Sequence, residues 1–209
     1  MKRYKLEINN PELFHIKRGE MVYQGPNQSW YKEAFQRTAG CGPTACSNIM
    51  WYLSKTRQNY QNLCPYDGST YDGFLSLMED MWNYVTPGFM GVNKLEMLMD
   101  GAISYGKERG INLKCSTYGV PGTKIFTQPD VKGAITFLES AIKKDLPVAF
   151  LNLSNGKLKN LESWHWVTIW ALDLENEKIS ILDQSRIEEV DLRLWITTTS
   201  LGGGFVVIE

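Results

Sequence analysis

The sequence is poor in cysteine and histidine, and its charges are balanced. Four cysteines among 209 residues are too few for a disulfide framework, and none shows the paired Cys-x-x-Cys spacing of a zinc site. Lysine and arginine number 22 against 23 acidic residues, and no basic cluster is longer than a pair. We therefore expect reduced thiols and no nucleic-acid partner, because nucleic-acid binding needs a concentrated basic patch.

Apolar segments long enough to enter a membrane are also missing from the sequence. Residues 1–7 are largely charged, unlike the apolar centre of a secretory signal, and no later stretch approaches the roughly 20 apolar residues of a membrane span. We therefore expect a cytoplasmic protein without a membrane partner. With 43% hydrophobic residues the chain can still bury a sizeable core, and its length fits one domain over residues 1–209.

Helical patterns come first along the chain and strand patterns later. Apolar residues recur at helical spacing in four segments, which begin near residues 45, 74, 95 and 131. The β-rich runs are residues 111–117, 147–151, 164–172, 178–183 and 204–208. We expect the third and fourth of these runs to form an antiparallel hairpin around Glu175 and Asn176. The predicted fold class is therefore α+β.

The clearest local signal is Gly40-Cys41-Gly42-Pro43-Thr44 at the start of the first predicted helix. Pro43 fits the first helical turn, where its missing N–H costs nothing. Free N–H groups and the positive end of the helix dipole favour a thiolate in that turn, and the thiolate is the nucleophilic form of cysteine. Cys41 is therefore the candidate nucleophile, whereas Cys46 on the same helix fits a buried structural role.

His165 and Asp183 are the candidate base and orienting carboxylate. His165 lies between two tryptophans on an apolar strand, where it could also be a buried structural histidine, and Asp183 could equally be a turn residue. The two are 18 positions apart, so a hairpin folded near residue 174 or 175 brings them opposite one another. A register slip of one residue would send one of them to the other face. Asp173, the competing carboxylate, lies at the turn end, far from His165.

These residues resemble the active-site motifs of the papain-like cysteine peptidases. The resemblance rests on the motif at residues 40–44, on His165 at the start of a strand and on Asp183 at the end of another, and it spans roughly residues 22–208. Within that superfamily the chain is most similar to the double-glycine, bacteriocin-processing peptidases and their relatives. The resemblance implies a two-lobed α+β fold, in which a helical lobe with the Cys41 helix packs on an antiparallel sheet. It also implies a triad of Cys41, His165 and Asp183 that needs neither a metal nor an organic cofactor.

The resemblance further implies a glutamine, N-terminal to Cys41, that donates a hydrogen bond to the oxyanion. Gln36 lies five residues before Cys41, near the short spacing of papain-like enzymes. Gln28 is followed by Ser29 and Trp30 and resembles the Gln-x-Trp arrangement of relatives with longer loops. Both glutamines are candidates, with a slight preference for Gln28, and a donor of this kind contributes about 3 kcal/mol to transition-state stabilisation.

The implied reaction is acyl transfer on a peptide or protein substrate. Cys41 attacks an amide carbonyl, His165 protonates the leaving amine, and water or another amine resolves the thioester. The same triad supports hydrolysis of peptides, isopeptides or side-chain amides, and transpeptidation. Two other classes stay open: a catalytically silent peptide-binding module on the same fold, and a structural or docking protein in which Cys41 is incidental. A working triad requires a Cys–His separation of about 3–4 Å and a His–Asp separation near 3 Å. The oligomeric state stays open.

Overall fold

The computed structural model describes residues 4–123 and 128–209, and its central feature is an antiparallel sheet of seven strands. The strands of the described part are β1 (Lys5–Glu7), β2 (His15–Arg18), β3 (Met21–Gln24), β4 (Cys115–Pro121), β5 (Val148–Asn152), β6 (His165–Asp173), β7 (Lys178–Asp183), β8 (Arg186–Asp191) and β9 (Gly202–Ile208). The central sheet has the order β4-β9-β5-β6-β7-β8, and β1 pairs with the second half of β6. Strands β2 and β3 form a separate hairpin.

Helices pack against this sheet and against one another. They are α1 (Ala34–Ala39), α2 (Cys41–Thr56), α3 (Tyr71–Trp82), α4 (Leu95–Glu108), α5 (Val131–Lys143) and α6 (Leu192–Thr198). Short 3-10 turns cover Pro11–Phe14, Gln28–Trp30 and Gln61–Leu63. Within residues 4–123 and 128–209, no helix combines the length and the apolar character that crossing a bilayer requires.

Helix α2 is enclosed on several sides, because it packs on β6, α3 and α4. All its residues from 42 to 54 are buried, including polar ones. Ser47 Oγ donates to the Pro43 carbonyl at 2.8 Å, which satisfies one buried hydroxyl within the helix. Asn48 Nδ2 donates to Thr168 Oγ1 at 2.9 Å and so joins α2 to β6 inside the core. The Asn48–Thr168 bond fixes the helix against the strand that begins at His165.

The β6–β7 hairpin contains one irregularity that decides which side chains share a face. On the turn side Ala171 pairs with Ser180, and on the far side Ile169 pairs with Ile181. Strand β6 therefore carries one extra residue, Trp170, and forms a β-bulge. Side chains alternate between the two faces along a strand. The extra residue therefore moves the side chains of all β6 residues before Trp170 to the face opposite the one they would have if β6 and β7 paired without a bulge.

The mixed architecture of helices and an antiparallel sheet confirms the coarse prediction, as does the β6–β7 hairpin. The order of elements was predicted wrongly, because β1 joins the sheet from the N-terminal end and β2–β3 precede the first helix. The strand expected at residues 111–117 is β4, shifted to Cys115–Pro121 because Cys115 pairs with Ile208, the last residue of β9. Strand β8 and helix α6 were not predicted.

Candidate active site

Cys41 is the first residue of α2, as the motif predicts. Its side chain is partly exposed, and it lies in the turn whose N–H groups have no intrahelical partner. The flanking glycines leave no room for side chains: a Cβ on Gly40 would lie 2.5 Å from the ring of Tyr31, and one on Gly42 would lie 2.9 Å from Val92. Neighbouring segments can therefore close tightly around the thiol while it stays accessible.

His165 and Asp183 form a hydrogen-bonded pair. His165 begins β6 and Asp183 ends β7, and His165 Nε2 lies 2.7 Å from Asp183 Oδ1. The two side chains are largely buried, with exposed fractions of 8% and 12%. The His–Asp separation is therefore the one that a triad requires. The carboxylate favours a proton on Nε2, which leaves the second ring nitrogen for the thiol.

The β-bulge brings this pair together. Because Trp170 is an extra residue in β6, His165 and Asp183 lie on the same face of the hairpin, whereas regular pairing would place them on opposite faces. The residues after Asp183 complete the arrangement, since Gln184 and Ser185 have φ values of 46° and 64°. Two successive positive φ values define the tight two-residue turn of a hairpin, so β7 has to end at Asp183.

The surroundings of His165 favour its charged form. Burial by itself lowers the pKa of His165, but hydrogen bonds with Asp183 and with the Cys41 thiol outweigh burial and raise the pKa from 6.5 to about 10. Cys41 lines the same cavity as His165, and His165 is hydrogen-bonded to Asp183. An imidazolium held between a thiol and a carboxylate can donate a proton to a leaving group.

The other three thiols lie in different surroundings. Cys46 and Cys64 are buried and Cys115 is half-buried. Burial raises the pKa of all three thiols, that of Cys115 to about 12. A raised pKa suppresses the thiolate, so these cysteines fit structural positions, as expected for Cys46.

Gln28 is the glutamine whose side chain reaches the Cys41 site. It begins a 3-10 turn that is anchored by Trp30, whose ring packs edge-on against Tyr23 at a centroid distance of 5.2 Å. Gln28 Nε2 donates to the Arg37 carbonyl at 2.8 Å, which uses one of its two N–H groups. The side chain lines the same cavity as Cys41.

Gln36 does not reach the Cys41 site, and its proposed oxyanion role is corrected accordingly. It occupies the third position of α1, where its Oε1 accepts a hydrogen bond from the Glu33 backbone N–H at 3.2 Å in a capping box. Its Nε2 donates to Glu79 Oε2 at 2.9 Å. Both ends of the amide are therefore used to hold α1 in place.

A cavity of about 20 Å³ connects the candidate residues. Its lining comes from the loop before α1, from α2 and from the ends of β6 and β7: Pro26, Gln28, Cys41, Thr44, Ala45, Asn48, His165, Trp166, Val167, Thr168, Leu182, Asp183 and Gln184. Thr44 and Asn48 were missed by the sequence analysis. The available signal was their spacing, because positions three and seven after Cys41 lie on the same face of a helix.

Two larger surface cavities border the site. One of about 350 Å³ includes Cys41 and is mostly apolar, with Phe35, Phe89, Met90, Val92, Leu151, Leu153 and Trp164 in its lining. The other, of about 510 Å³, includes Asp183 and is polar, with Asn27, Lys159, Glu162, Arg186 and Glu188 in its lining. Phe89 is fully exposed at the rim of the first cavity. Clustered apolar exposure of this kind is typical of a binding surface.

Comparison with known proteins yields a structural likeness and no relative in sequence. No family model matches the chain, and no curated protein matches it. Among solved structures, the Pseudomonas avirulence protein AvrPphB is similar at 11% identity, over 84% of this chain and 94% of that chain, with a TM-score of 0.36. A TM-score this low transfers neither fold detail nor function, so the function of this chain has to be argued from its own residues.

Proposed function

We propose that this protein is a cysteine peptidase-like hydrolase that cleaves a peptide or amide bond through Cys41, His165 and Asp183. One observation carries the proposal: a partly exposed cysteine at a helix N-terminus shares a small cavity with a buried imidazole, which lies 2.7 Å from a carboxylate. The papain-like two-lobed fold and the likeness to double-glycine peptidases belong to the same proposal and are supported by the motif at residues 40–44. A cytoplasmic location also belongs to it, since all four cysteines are free.

In the proposed mechanism, the Cys41 thiolate attacks the amide carbonyl carbon and the carbonyl electron pair moves onto oxygen. The remaining N–H group of Gln28 and the backbone N–H of Cys41 stabilise this oxyanion. As the C–N bond breaks, the His165 imidazolium gives its proton to the leaving amine. His165 then takes a proton from water, the resulting hydroxide attacks the thioester, and the carboxylic acid leaves as the thiolate is restored.

The surroundings of the site support a chain-like substrate rather than a small amide. An apolar cavity begins at Cys41 and a polar cavity begins at Asp183, so an extended molecule bound across the site would contact both. A peptide with large apolar residues on one side of the scissile bond and polar residues on the other matches these linings. We therefore propose a peptide or protein substrate of that composition.

The proposal is tested with a peptide library and an electrophilic peptide probe. We expect the wild type to cleave library members and to be labelled by the probe at Cys41. Cys41→Ala and His165→Ala should each abolish cleavage, and the double variant should be no worse, because triad members act as a unit. Cys115→Ala, which removes a half-buried thiol outside the site, is the matched control and should cleave normally.

The outcomes separate the alternatives. Transfer of the acyl group to an added amine would identify a transpeptidase, and hydrolysis of a side-chain amide with release of ammonia would identify an amidase, each using the same triad. Substantial cleavage by His165→Ala, or additive losses in the double variant, would point to another base. A wild-type Cys41 that the probe does not label faster than the buried Cys46 would contradict catalysis and favour a peptide-binding module on the same fold.

A further inference from the structure

Buried polar atoms without a partner gather beside Cys41. Among residues 4–123 and 128–209, five buried side-chain nitrogen or oxygen atoms have no hydrogen-bond partner. Three of the five, namely Gln28 Oε1, Thr44 Oγ1 and Asn48 Oδ1, belong to residues that line the cavity of about 20 Å³. An unsatisfied buried polar atom is costly, so three in one cavity indicate a common partner.

The hydrogen bonds of the Gln28 and Asn48 side-chain amides show which end of each amide lacks a partner. Gln28 Nε2 donates to the Arg37 carbonyl at 2.8 Å, and Asn48 Nδ2 donates to Thr168 Oγ1 at 2.9 Å. These bonds fix the nitrogen end of each amide, which leaves its oxygen as an acceptor. Two acceptor oxygens complement a water molecule, which donates two hydrogen bonds. The Thr44 hydroxyl lies beside the Tyr31 hydroxyl, whose own proton goes to the Met78 carbonyl at 3.1 Å, and it supplies the donor that the water accepts. A volume of about 20 Å³ is enough for one water molecule.

We propose that Gln28, Thr44 and Asn48 bind one ordered water beside Cys41, and that Thr44 and Asn48 are positioning residues which act on Gln28 through it. The hydrogen bond from Asn48 to Thr168 connects this water to the core of the sheet. The water then holds the Gln28 oxygen, while the Arg37 carbonyl holds one Gln28 N–H, so the second N–H keeps a fixed direction. The catalytic meaning of this network rests on the proposed function, whereas the water site does not.

The water site is tested by crystallography and by the direction in which Tm changes in a variant. A high-resolution crystal structure of the wild type should show one water within about 3.2 Å of the three oxygen atoms. Thr44→Val keeps the side-chain shape and removes the hydroxyl. If the hydroxyl binds water, this variant should have a lower Tm than the wild type, whereas removal of an unpartnered hydroxyl should leave Tm unchanged or raise it. An empty site in the wild type, or a Tm that does not fall, would overturn the water site.

The positioning role is tested with two probes of Cys41. A peptidyl aldehyde adds to the thiolate: a C–S bond forms, the carbonyl electron pair moves to oxygen, and that oxyanion takes a proton from His165. Iodoacetamide forms a C–S bond with loss of iodide and creates no oxyanion. We expect Thr44→Val and Asn48→Leu to weaken aldehyde binding on the order of fivefold, with the alkylation rate unchanged.

Ser47→Ala is the matched control, because Ser47 is equally buried on α2 but does not line the cavity. It should leave both the aldehyde affinity and the alkylation rate unchanged. Unchanged aldehyde affinity in Thr44→Val and Asn48→Leu, or an equal loss with both probes, would overturn the positioning role. A wild type that binds no aldehyde would instead refute the proposed function, while a water in the crystal structure would still support the site.

Discussion

At the residue scale, Asp183 controls the charge of His165. Burial disfavours the charged form of His165, so that form depends on the Asp183 carboxylate 2.7 Å away and on the Cys41 thiol. We expect Asp183→Asn to lower the pKa of His165 from about 10 by at least about one unit, because the opposite charge is lost. Titration of the His165 ring signals by NMR measures this change.

Asp173→Asn provides the matched control for that titration. Asp173 lies at the other end of the hairpin, where its Oδ1 accepts hydrogen bonds from the backbone of Glu175 and Asn176 at 3.0 and 3.1 Å. Its loss should leave the His165 titration where it is in the wild type. An unaltered pKa in Asp183→Asn would show that the carboxylate does not set the charge of the imidazole.

The raised pKa of His165 also makes stability depend on pH. A histidine whose folded pKa exceeds its unfolded pKa stabilises the protein fully below the unfolded value and loses that contribution as pH rises through the folded value. For His165 the window runs from pH 6.5 to about 10. We expect the free energy of unfolding, measured with urea, to fall across this window more steeply in the wild type than in His165→Gln. Parallel curves for the two proteins would contradict the assignment.

The sequence identifies the three triad candidates but does not choose between the two glutamines. Cys41 lies in a motif that determines its own helix start, so local information is sufficient there. Gln36 has the shorter spacing to Cys41, yet its amide is used by Glu33 and Glu79, and the Glu79 contact comes from a distant helix. Such a contact depends on tertiary packing, which spacing along the chain does not report.

At the element scale, the β-bulge in β6 is the feature on which the site geometry depends. We expect deletion of Trp170 to restore regular pairing and send His165 to the face opposite Asp183. The pKa of His165 should then return toward 6.5 in a protein whose circular dichroism is still that of a folded chain. Trp170→Ala keeps the extra residue and should keep the raised pKa.

The outcome that would contradict this role is a folded deletion variant with an unchanged His165 titration.

The bulge also shows why the hairpin was predictable and its register was not. The alternating apolar residues locate β6 and β7 closely, but Trp170 continues the apolar pattern and gives no sign of an extra residue. The pairing of Asp173 with Lys178 places the turn slightly beyond the predicted position, and the bulge restores the shared face.

At the scale of the whole molecule, the sheet combines strands from distant parts of the chain. Local patterns predict most of its strands, because alternation and β-propensity are properties of short segments. They do not predict that β1 pairs with β6, or that β9 lies between β4 and β5. Those neighbours are selected by burial across the assembled sheet, so the mixed fold class was predictable and the strand order was not.

The position of β9 has a consequence for the order in which the molecule becomes reactive. Strand β9 follows β4 and β5 in the chain yet completes the hydrogen bonding of both, and β5 in turn supports β6 and His165. A ribosome releases Cys41 long before any of these strands, and pairings between distant segments form slowly. During synthesis the chain therefore carries Cys41 before His165 is in place. If the protein is the hydrolase proposed above, its three site residues come together only when the sheet is complete, so a partly synthesised chain has no hydrolase activity.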